Sequence, residues 1–461
     1  MNSLIIHIAL MVSTLIFIYF IFVVIMYSIG IFKAIMNMKT SRKVVNSHID
    51  LPSEALAPVS ILVPAYNESA TIVESIESLL ASDYPEFEII VVNDGSKDNT
   101  LEKIIAHFNL SPLPLTFPQT LPCQPIRHIY TDLNRHKIIL VDKENGGKAD
   151  SLNAAINLSR FPLICCIDAD CMLETHALKN IARHFARRSE AIAIGGIVRI
   201  ANGCQMQRGT IVQPHVPKTM IEKIQIVEYL RAFLTNRFAK NESNNMLIIS
   251  GAFGMFRKDA VVRAGGYRKG LGEDMELIVR LHQYHIEHHI PYLIAMASDA
   301  VCWTQAPSTY KDLKTQRVRW HRGLITTLLS YRCMLFNPKY GKIGSIAYPQ
   351  QLFIEFGGPL IEALGYLLFV LLLFYFQLTV IALHIFVMAY LCGVIQALFA
   401  VIAERFVYNA YQSTADSARL IAACLVEPLY YRPLTVLWRL RACLPYRRSK
   451  AKWGSIQRKQ F

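Results

Sequence analysis

Ile164-Cys-Cys-Ile-Asp168-Ala-Asp170 is an apolar run that ends in two carboxylates, with one residue between them. An uninterrupted apolar run of this kind predicts a buried central strand of a parallel sheet. Ligands of open α/β sheets bind beyond the carboxyl ends of the strands, where Asp168 and Asp170 are then expected. Two acids there repel each other unless a cation lies between them, and a hard divalent ion with oxygen ligands suits that position. Taken alone, the pair is better explained by a strand that merely ends in a polar turn, so the neighbouring motifs must distinguish the two readings.

Strands and helices are predicted to alternate around this stretch. The predicted order is strand 59–66, helix 69–82, strand 87–94, a helix starting near 100, strand 137–142, helix 148–158 and strand 163–168. This βαβα order predicts an α/β domain with a doubly wound, mostly parallel sheet. Between Ser111 and Pro125 lie five prolines, which predict an irregular surface insertion.

Polar residues follow the first two predicted strands, at the sheet edge that also holds Asp168. They form Pro64-Ala-Tyr66-Asn-Glu68 and Asn93-Asp94-Gly-Ser. Their acceptor atoms suit the hydrogens of a uracil ring and of ribose hydroxyls. Tight turns use the same residue types, so one such loop says little, whereas three loops at one edge indicate a nucleotide site.

The stretch Asn145-Gly-Gly-Lys148-Ala-Asp150 opens a predicted helix. Glycines, a lysine and a helix N-terminus suit contact with phosphate. The GxxxxGK[ST] spacing of a Walker loop is absent, so this is a different kind of phosphate contact.

A further acidic group, Gly272-Glu273-Asp274-Met-Glu276, precedes a helical run. Asp274 is a candidate general base, because an acceptor hydroxyl must lose its proton as it attacks a sugar carbon. Acids in the first turn of a helix are also favoured by the helix dipole alone, which leaves a purely structural reading open.

The stretch Gln316-Arg317-Val-Arg319-Trp320 lies on a predicted helix. The spacing of Gln316, Arg319 and Trp320 places them on one face. An arginine suits a pyrophosphate leaving group, and a tryptophan ring offers a flat surface for a sugar. An amphipathic helix at a membrane surface carries the same residue types, so the motif by itself fits both readings.

The composition predicts a membrane protein with transmembrane and interfacial helices. Hydrophobic residues make up 53% of the 461 residues and charged residues 18%, which is too apolar for an ordinary soluble protein of this size. The long apolar segments are 4–32, 352–376, 378–403 and an interrupted fourth at 420–440. No cleavage site follows the first segment, which predicts an uncleaved anchor. The fourth is interrupted by Glu427, Pro428, Arg432 and Pro433 and is expected to lie in the interface or to be half-inserted.

Basic residues predict the orientation of these segments. Lys33, Lys39, Arg42 and Lys43 follow the first segment, and the stretch 432–461 holds nine Arg or Lys and no acid. Because positive residues mark cytoplasmic ends, both regions are expected in the cytoplasm, which three full spans satisfy and four do not.

The net charge of +14 admits nucleic acid as a partner. The basic residues are spread out or flank apolar segments, and no nucleic-acid motif accompanies them. Membrane lipids and a diphosphate-bearing substrate explain the charge more economically, so we expect no nucleic acid. The ten cysteines have no CxxC spacing, which predicts reduced thiols in a cytosol-facing domain.

Taken as an ordered set, these motifs resemble the family 2 glycosyltransferases of the processive, membrane-embedded type. That family includes cellulose, chitin, hyaluronan and poly-β-1,6-N-acetylglucosamine synthases. The resemblance spans Val59 to Gly323, and Lys223-Ile-Gln-Ile-Val-Glu228-Tyr229 with Ser250-Gly-Ala-Phe is most similar to the bacterial poly-N-acetylglucosamine synthases. It implies a GT-A type fold, an inverting transfer from a UDP-sugar, Mg²⁺ or Mn²⁺ as cofactor, and a small auxiliary membrane subunit as a plausible partner.

The resemblance also implies a role for each matched position. Asp274 would be the catalytic base, Asp168 and Asp170 would hold the metal with the diphosphate, and Asp94 would contact the uridine. The implied donor-binding residues are Pro64, Tyr66, Glu68, Asp94, Lys148, Asp168 and Arg319. The implied acceptor-binding residues are Glu228, Glu273, Gln316 and Trp320.

The expected organisation is an N-terminal transmembrane anchor (1–34), a linker (35–58), a cytoplasmic GT-A glycosyltransferase domain (59–330), an interfacial segment (331–351), two transmembrane helices (352–403) and an interfacial or half-inserted segment with a basic cytoplasmic tail (404–461). The expected function is the addition of sugars, with N-acetylglucosamine preferred by resemblance, to a growing β-glycan at the inner (plasma) membrane. The alternatives are a non-processive transferase that places one sugar on a lipid, and a membrane scaffold that only binds nucleotide-sugars.

Two further groups of residues allow more than one reading. Glu355 and Glu362 lie seven residues apart in an apolar segment, which predicts nearly one helix face and either contact with a passing sugar chain or an ion pair with Arg432. His282, His285, His288 and His289 are predicted to form a solvated or interfacial helix face rather than a zinc site.

Overall fold

The computed structural model describes residues 3–46, 55–114, 116–132, 137–207, 209–237, 243–375 and 379–445. The strands are β1 (Val59–Ala65), β2 (Phe87–Asn93), β3 (Ser111–Pro112), β4 (Ile126–Thr131), β5 (Ile138–Lys143), β6 (Leu163–Ile167), β7 (Cys171–Leu173), β8 (Ala191–Ile200), β9 (Gln205–Gln207), β10 (Thr210–Gln213), β11 (Phe253–Arg257) and β12 (Leu293–Thr304). The α-helices are α1 (Ser3–Asn46), α2 (Ile72–Leu80), α3 (Thr100–Phe108), α4 (Lys148–Leu158), α5 (Ala177–Arg187), α6 (Met220–Leu230), α7 (Lys258–Arg263), α8 (Glu273–Glu287), α9 (Tyr310–Ser330), α10 (Tyr348–Gln350), α11 (Gly357–Val370), α12 (Thr379–Val407), α13 (Thr414–Val426) and α14 (Arg432–Cys443).

A ten-stranded mixed sheet forms the centre of the domain, in the order β3-β4-β5-β2-β1-β6-β11-β8-β12-β7. Strands β5, β2, β1 and β6 run parallel to one another, so their carboxyl ends share one edge. Strand β11 runs antiparallel to its neighbours β6 and β8. The predicted α/β fold class, with its strands and flanking helices, is confirmed.

The parallel strands are buried on both faces. Side chains of a strand alternate between the two faces, and Ile61 and Val63 of β1 accordingly pack in one core layer while Leu62 packs in the other. Helices cover both layers, so every residue of β1 and β2 is buried. This explains why these strands appear in the sequence as apolar runs rather than as alternating patterns.

The proline-rich insertion differs from its prediction, because part of it packs into the domain. Ser111 and Pro112 form the short edge strand β3, paired with β4. Leu121 is buried, and its backbone N–H donates to Asn157 Oδ1 at 2.9 Å while its carbonyl accepts from Asn157 Nδ2 at 2.8 Å. A buried apolar side chain with a satisfied backbone thus anchors the segment to helix α4.

Within the described residues, four helical stretches are long and apolar enough to cross a membrane, judged by length and composition: Met11–Lys33, Ile343–Phe374, Leu383–Val407 and Thr414–Cys443. These stretches indicate a membrane protein. Helix α1 continues to Asn46, beyond the predicted end of the anchor at residue 34. Of the basic tail used to predict orientation, residues 446–461 lie outside the described part of the chain.

Bidentate Arg–Glu ion pairs join helices α11 to α14, the membrane-side helices, to the domain and to each other. They are Arg199–Glu404, Arg231–Glu427 and Arg432–Glu362. The pair of Arg199 and Glu404 is almost completely buried on both sides. Removing one partner of a buried pair leaves a charge without compensation, so these contacts fix the position of the helices against the domain.

Candidate functional site

A cavity of about 800 Å³ opens at the sheet edge where β1 and β6 end. Its wall includes Pro64, Tyr66, Glu68, Lys148, Asp168, Asp170, Glu228, Glu273, Asp274, Gln316, Arg319 and Trp320. These residues come from motifs spread over more than half of the chain. Every predicted site residue except Asp94 therefore lines this one cavity.

Asp168 and Asp170 directly follow strand β6. A carboxylate oxygen of each and the Sγ of Cys171 all lie within 4.8 Å of one another, and within the described residues this is the one group of His, Cys, Asp and Glu that could hold a metal. Burial holds the pKa of the Cys171 thiol well above its usual value, and its Sγ lies 3.6 Å from Asp170 Oδ1 as a donor. Two carboxylates remain as ligands, and they fit a hard divalent cation.

Lys148, the first residue of α4, carries an ammonium group beside these carboxylates. Its Nζ lies 2.5 Å from Asp168 Oδ1 and 3.6 Å from Glu273 Oε1. Burial alone would lower the pKa of Lys148, but the carboxylates of Asp168 and Glu273 raise it above its usual value. Burial raises the pKa of Glu273, although Lys148 opposes that effect. The lysine is therefore a charged group beside the carboxylates of Asp168 and Glu273.

Asp94 is buried behind the cavity wall and supports the loop that carries Lys148. Its Oδ1 accepts from Lys143 Nζ at 2.6 Å and from the Gly146 N–H at 2.9 Å, and its Oδ2 accepts from the Gly147 N–H at 2.8 Å. Gly147 has φ +92°, a conformation that glycine adopts without strain. The contact of Asp94 with a uridine stays a prediction.

The loops after β1 and β2 are tied together through Asn67. Its backbone N–H donates to Ser96 Oγ at 3.0 Å, and its Oδ1 accepts from the Lys97 N–H at 2.7 Å. The next residue, Glu68, is buried and accepts from Thr71 Oγ1 at 3.2 Å. These contacts hold the predicted nucleotide loops as one unit.

Asp274 lies in the first turn of α8 with its carboxylate at the cavity. Its Oδ1 accepts from the Met275 N–H at 2.8 Å, and its Oδ2 accepts from the Gly251 N–H at 3.4 Å. A Cβ on Gly251 would lie 2.7 Å from Lys148 Nζ and 3.6 Å from the Asp274 Cβ. The small Ser250-Gly-Ala-Phe stretch therefore leaves room for both charged groups.

Two glycines bring the helix of Asp274 against the helix of Trp320. A Cβ on Gly272 would lie 2.9 Å from Gly323 Cα, and a Cβ on Gly323 would lie 2.8 Å from Gly272 Cα. Backbone therefore packs directly on backbone where α8 begins. We infer that this close approach sets the separation between the candidate base and the candidate acceptor platform.

Gln316, Arg319 and Trp320 lie on helix α9 and all reach the cavity, as their spacing predicts. Trp320 is 42% exposed, so it is open at the cavity wall. Arg317, which follows Gln316 in the sequence, also lines the cavity but is buried. Its guanidinium carbon lies 4.3 Å from the centre of the Trp320 ring.

Glu355, one of the two acids singled out in the sequence, also lines the cavity. Arg439 and Arg441 of α14 line it too, but they were not identified from the sequence. They belong to segments that the hydropathy pattern assigns to the membrane or its surface, so their charges carried no signal for a site. Arg317 was also overlooked in the sequence, because only Gln316, Arg319 and Trp320 have the spacing that places residues on one helix face.

The histidine cluster matches the predicted solvated face only in part. His288 and His289 are exposed, whereas His282 and His285 are buried. His282 Nε2 lies 2.9 Å from the Met246 carbonyl oxygen, and its Nδ1 lies 2.8 Å from Tyr292 Oη. Both ring nitrogens of His282 have protein partners, and the pair of His282 and His285 is part of the core.

The sequence matches glycosyl transferase family group 2 over residues 163–403, and glycosyl transferase family 2 over residues 60–263. The first match covers more than half of the chain. The chain belongs to this glycosyltransferase family, which confirms the predicted enzyme class and GT-A type fold.

Among curated relatives, the chain is similar to poly-beta-1,6-N-acetyl-D-glucosamine synthases. It is 29% identical to the Staphylococcus epidermidis enzyme over 267 residues, which cover 58% of this chain and 54% of that one. It is also 29% identical to the Staphylococcus aureus (strain COL) enzyme over 280 residues, 60% of this chain and 57% of that one. The chain thus matches about half the length of these relatives. A solved mannosyltransferase, PcManGT from Pyrobaculum calidifontis in complex with GDP-Man and Mn²⁺, aligns with a TM-score of 0.49, 18% identity, 88% of this chain and 98% of its own.

Proposed function

We propose that this chain is an inverting membrane glycosyltransferase that adds sugars from a UDP-sugar donor, UDP-N-acetylglucosamine, to a growing β-linked extracellular polysaccharide. One observation carries the proposal: a single cavity gathers Asp168, Asp170, Asp274, Arg319 and Trp320. Sugar transfer from a nucleotide diphosphate requires four parts: acidic ligands for a metal ion, a base, a positive side chain for the leaving group and an aromatic surface for the acceptor. The similarity to poly-N-acetylglucosamine synthases supports the choice of donor.

Asp274 is assigned as the general base. Its carboxylate would take the proton from the acceptor hydroxyl as that oxygen forms a bond to the anomeric carbon. The bond from the anomeric carbon to the diphosphate oxygen breaks on the opposite face, which inverts the anomeric centre. Arg319 and Lys148 would hold the departing diphosphate through charge-assisted hydrogen bonds.

Asp168 and Asp170 are assigned as the ligands of Mg²⁺ or Mn²⁺. When bound, the ion supplies positive charge to the diphosphate of the donor. The remaining donor contacts, from Pro64, Tyr66, Glu68 and Asp94, are assigned to the nucleotide by position. Glu228, Glu273, Gln316 and Trp320 are assigned to the acceptor sugar, with Trp320 providing its exposed ring face.

The membrane arrangement is part of the proposal. Residues 59–330 form the cytoplasmic transferase domain, and residues 1–34 and 352–403 supply three spans of the inner (plasma) membrane. Residues 331–351 and the start of 404–461 lie at the interface, and the basic end of the chain remains in the cytoplasm. The cavity wall extends to Glu355, Arg439 and Arg441, which supports transfer close to the membrane surface, with room for membrane lipids and a small auxiliary subunit.

The direct test incubates the purified, detergent-solubilised full chain with Mg²⁺ and labelled UDP-N-acetylglucosamine or UDP-glucose, followed by sizing of the products. We expect a high-molecular-weight product from UDP-N-acetylglucosamine. A short, lipid-extractable product would indicate a non-processive transferase acting on lipid. Nucleotide-sugar binding without any transfer, in membranes as well as in detergent, would overturn the catalytic assignment and favour a binding scaffold.

A further inference from the structure

Arg317 is the most highly connected side chain of the Gln316–Trp320 motif. Its Nη1 donates to Gln316 Oε1 at 2.9 Å, and its Nη2 donates to Glu228 Oε2 at 2.6 Å. Its guanidinium also lies 4.3 Å from the centre of the Trp320 ring, within the range of a cation–π contact. One buried cation therefore contacts three residues assigned to the acceptor sugar.

Glu228 extends this group towards the membrane-side helices. Its Oε2 also accepts from Tyr431 Oη at 2.9 Å. Burial alone would raise the pKa of Glu228, but Arg317 and neighbouring arginines hold it below its usual value. Glu228 is thus a carboxylate that binds Arg317 and Tyr431 at the same time.

Tyr431 is the last residue of a π-helical segment, Glu427–Tyr431, which contacts Glu228 and Arg231 at the end of helix α6. At its other end Glu427 forms a bidentate ion pair with Arg231, at 2.8 and 3.1 Å. Single π-helical turns within helices are frequent at functional sites. Here Glu427 contacts Arg231, and Tyr431 contacts Glu228. Because Glu228 also binds Arg317, Tyr431 is linked to Arg317.

We infer that Arg317 is a positioning residue for the acceptor sugar, and that the segment ending at Tyr431 holds it in place. Arg317 fixes the orientation of the Trp320 ring and of the Gln316 amide, while Glu228 and Tyr431 prevent the guanidinium from turning away. This inference rests on the proposed function, in which Trp320 contacts the acceptor. The nearby charges of Arg231 and Arg439 bias Glu228 towards its ionised form and so maintain the pair.

The chain contains a matched pair that serves as a control. Arg199 is equally buried, forms a bidentate pair with Glu404 and lies 4.8 Å from the centre of the Tyr408 ring. Arg199 is outside the cavity wall. Arg199→Lys therefore reproduces the structural cost of Arg317→Lys without touching the acceptor site.

The test uses the full-length chain in detergent and compares Arg317→Lys, Tyr431→Phe and Arg199→Lys. Lysine keeps the charge but loses the planar fork and the stack on the ring. We expect Arg317→Lys to raise the KM for a β-1,6-linked N-acetylglucosamine oligosaccharide about tenfold and to leave the KM for UDP-N-acetylglucosamine near wild type. Tyr431→Phe should raise the acceptor KM about two- to threefold, whereas Arg199→Lys should lower thermal stability without changing either KM.

A second measurement needs no substrate. The emission of Trp320, obtained as the difference between each protein and its Trp320→Phe version, is titrated with acrylamide. We expect stronger quenching of Trp320 in Arg317→Lys than in wild type or Arg199→Lys, because the guanidinium no longer covers one ring face. Unchanged quenching, or equal rises in the donor and acceptor KM, would overturn the inference. If wild type transfers no sugar while the quenching changes as expected, the proposed function fails and the positioning of Trp320 stands.

Discussion

Glu362 of α11 and Arg432 of α14 form a two-point ion pair, with Nη2–Oε1 and Nε–Oε2 distances of 2.6 and 2.9 Å. Glu355, seven residues earlier, instead lines the cavity. The sequence spacing placed the two acids on nearly one helix face. Glu355 lies in the π-helical segment Gln351–Phe356 that precedes α11, so the two acids belong to different helical elements and have different surroundings.

This separation predicts different effects of the same substitution at the two sites. Glu362→Gln leaves the Arg432 guanidinium without its carboxylate, so the thermal unfolding midpoint in detergent should fall. Glu355→Gln should leave the midpoint near wild type and act on transfer or on product length. Equal losses of thermal stability in the two variants would contradict the division of roles.

The packing of Gly272 on Gly323 predicts a strong effect of a single methyl group. Gly323→Ala would place a Cβ 2.8–2.9 Å from backbone atoms of Gly272 and Leu271, so α8 and α9 must move apart. We expect the turnover rate to fall at least about tenfold, because small displacements of catalytic groups are costly. Gly270→Ala is the control, since a Cβ there meets nothing within 4 Å. Similar activity in both alanine variants would show that the contact does not position the site.

The burial of His282 predicts an acid-sensitive fold. Burial lowers the pKa of His282 to about 4, whereas the unfolded chain takes up this proton near the usual value of about 6.5. Its contribution to stability is therefore fully present above that value and is lost as the pH falls towards 4, on the order of 3 kcal/mol in total. Unfolding midpoints measured from pH 7.5 to 4.5 should fall steeply below pH 6.5.

The matched variants for this prediction are His282→Gln and His128→Gln. Glutamine at position 282 can donate to the Met246 carbonyl oxygen but does not titrate, so the decline with acid should become shallower. It should not vanish, because burial also lowers the pKa of His321 to about 4. His128 is exposed, and its replacement should leave the wild-type pH profile intact. A profile unchanged by His282→Gln would show that other groups cause the acid sensitivity.

The sequence was sufficient for the four parallel strands β5, β2, β1 and β6 and for most of the residues that line the cavity, for a physical reason. Asp168 and Tyr66 each follow an apolar run, and parallel strands bring such positions to one edge. The role of Asp94 could not be read in the same way, because its partner Lys143 is 49 residues away and meets it only through side-chain packing. The position of Arg439 at the cavity was missed for a different reason. Hydropathy assigns its segment to the membrane surface, but it does not show which side chains of that segment face the domain.

The assignment of Asp168 and Asp170 as metal ligands predicts loss of activity on metal removal. Chelation of divalent ions should abolish transfer, and added Mn²⁺ or Mg²⁺ should restore it. Asp170→Asn removes one anionic ligand, so the concentration of Mn²⁺ needed for half-maximal activity should rise about tenfold or more. Binding of Mn²⁺ measured by electron paramagnetic resonance should weaken in parallel. Full transfer in the presence of excess chelator would exclude a role for the ion.

The assignment of Asp274 as the base predicts a separation of binding from chemistry. Asp274→Asn keeps the size of the side chain, and its amide oxygen can still accept from the Met275 N–H, but it cannot take a proton at neutral pH. Transfer should fall by at least about a hundredfold, while the Kd of UDP-N-acetylglucosamine, measured calorimetrically with Mn²⁺, stays within about threefold of wild type. Glu276→Gln is the control in the same helical turn, because Glu276 is paired with Arg280 and lies outside the cavity wall. Wild-type transfer by Asp274→Asn would overturn the assignment, and the next candidate would be Glu273, whose buried carboxyl also lines the cavity.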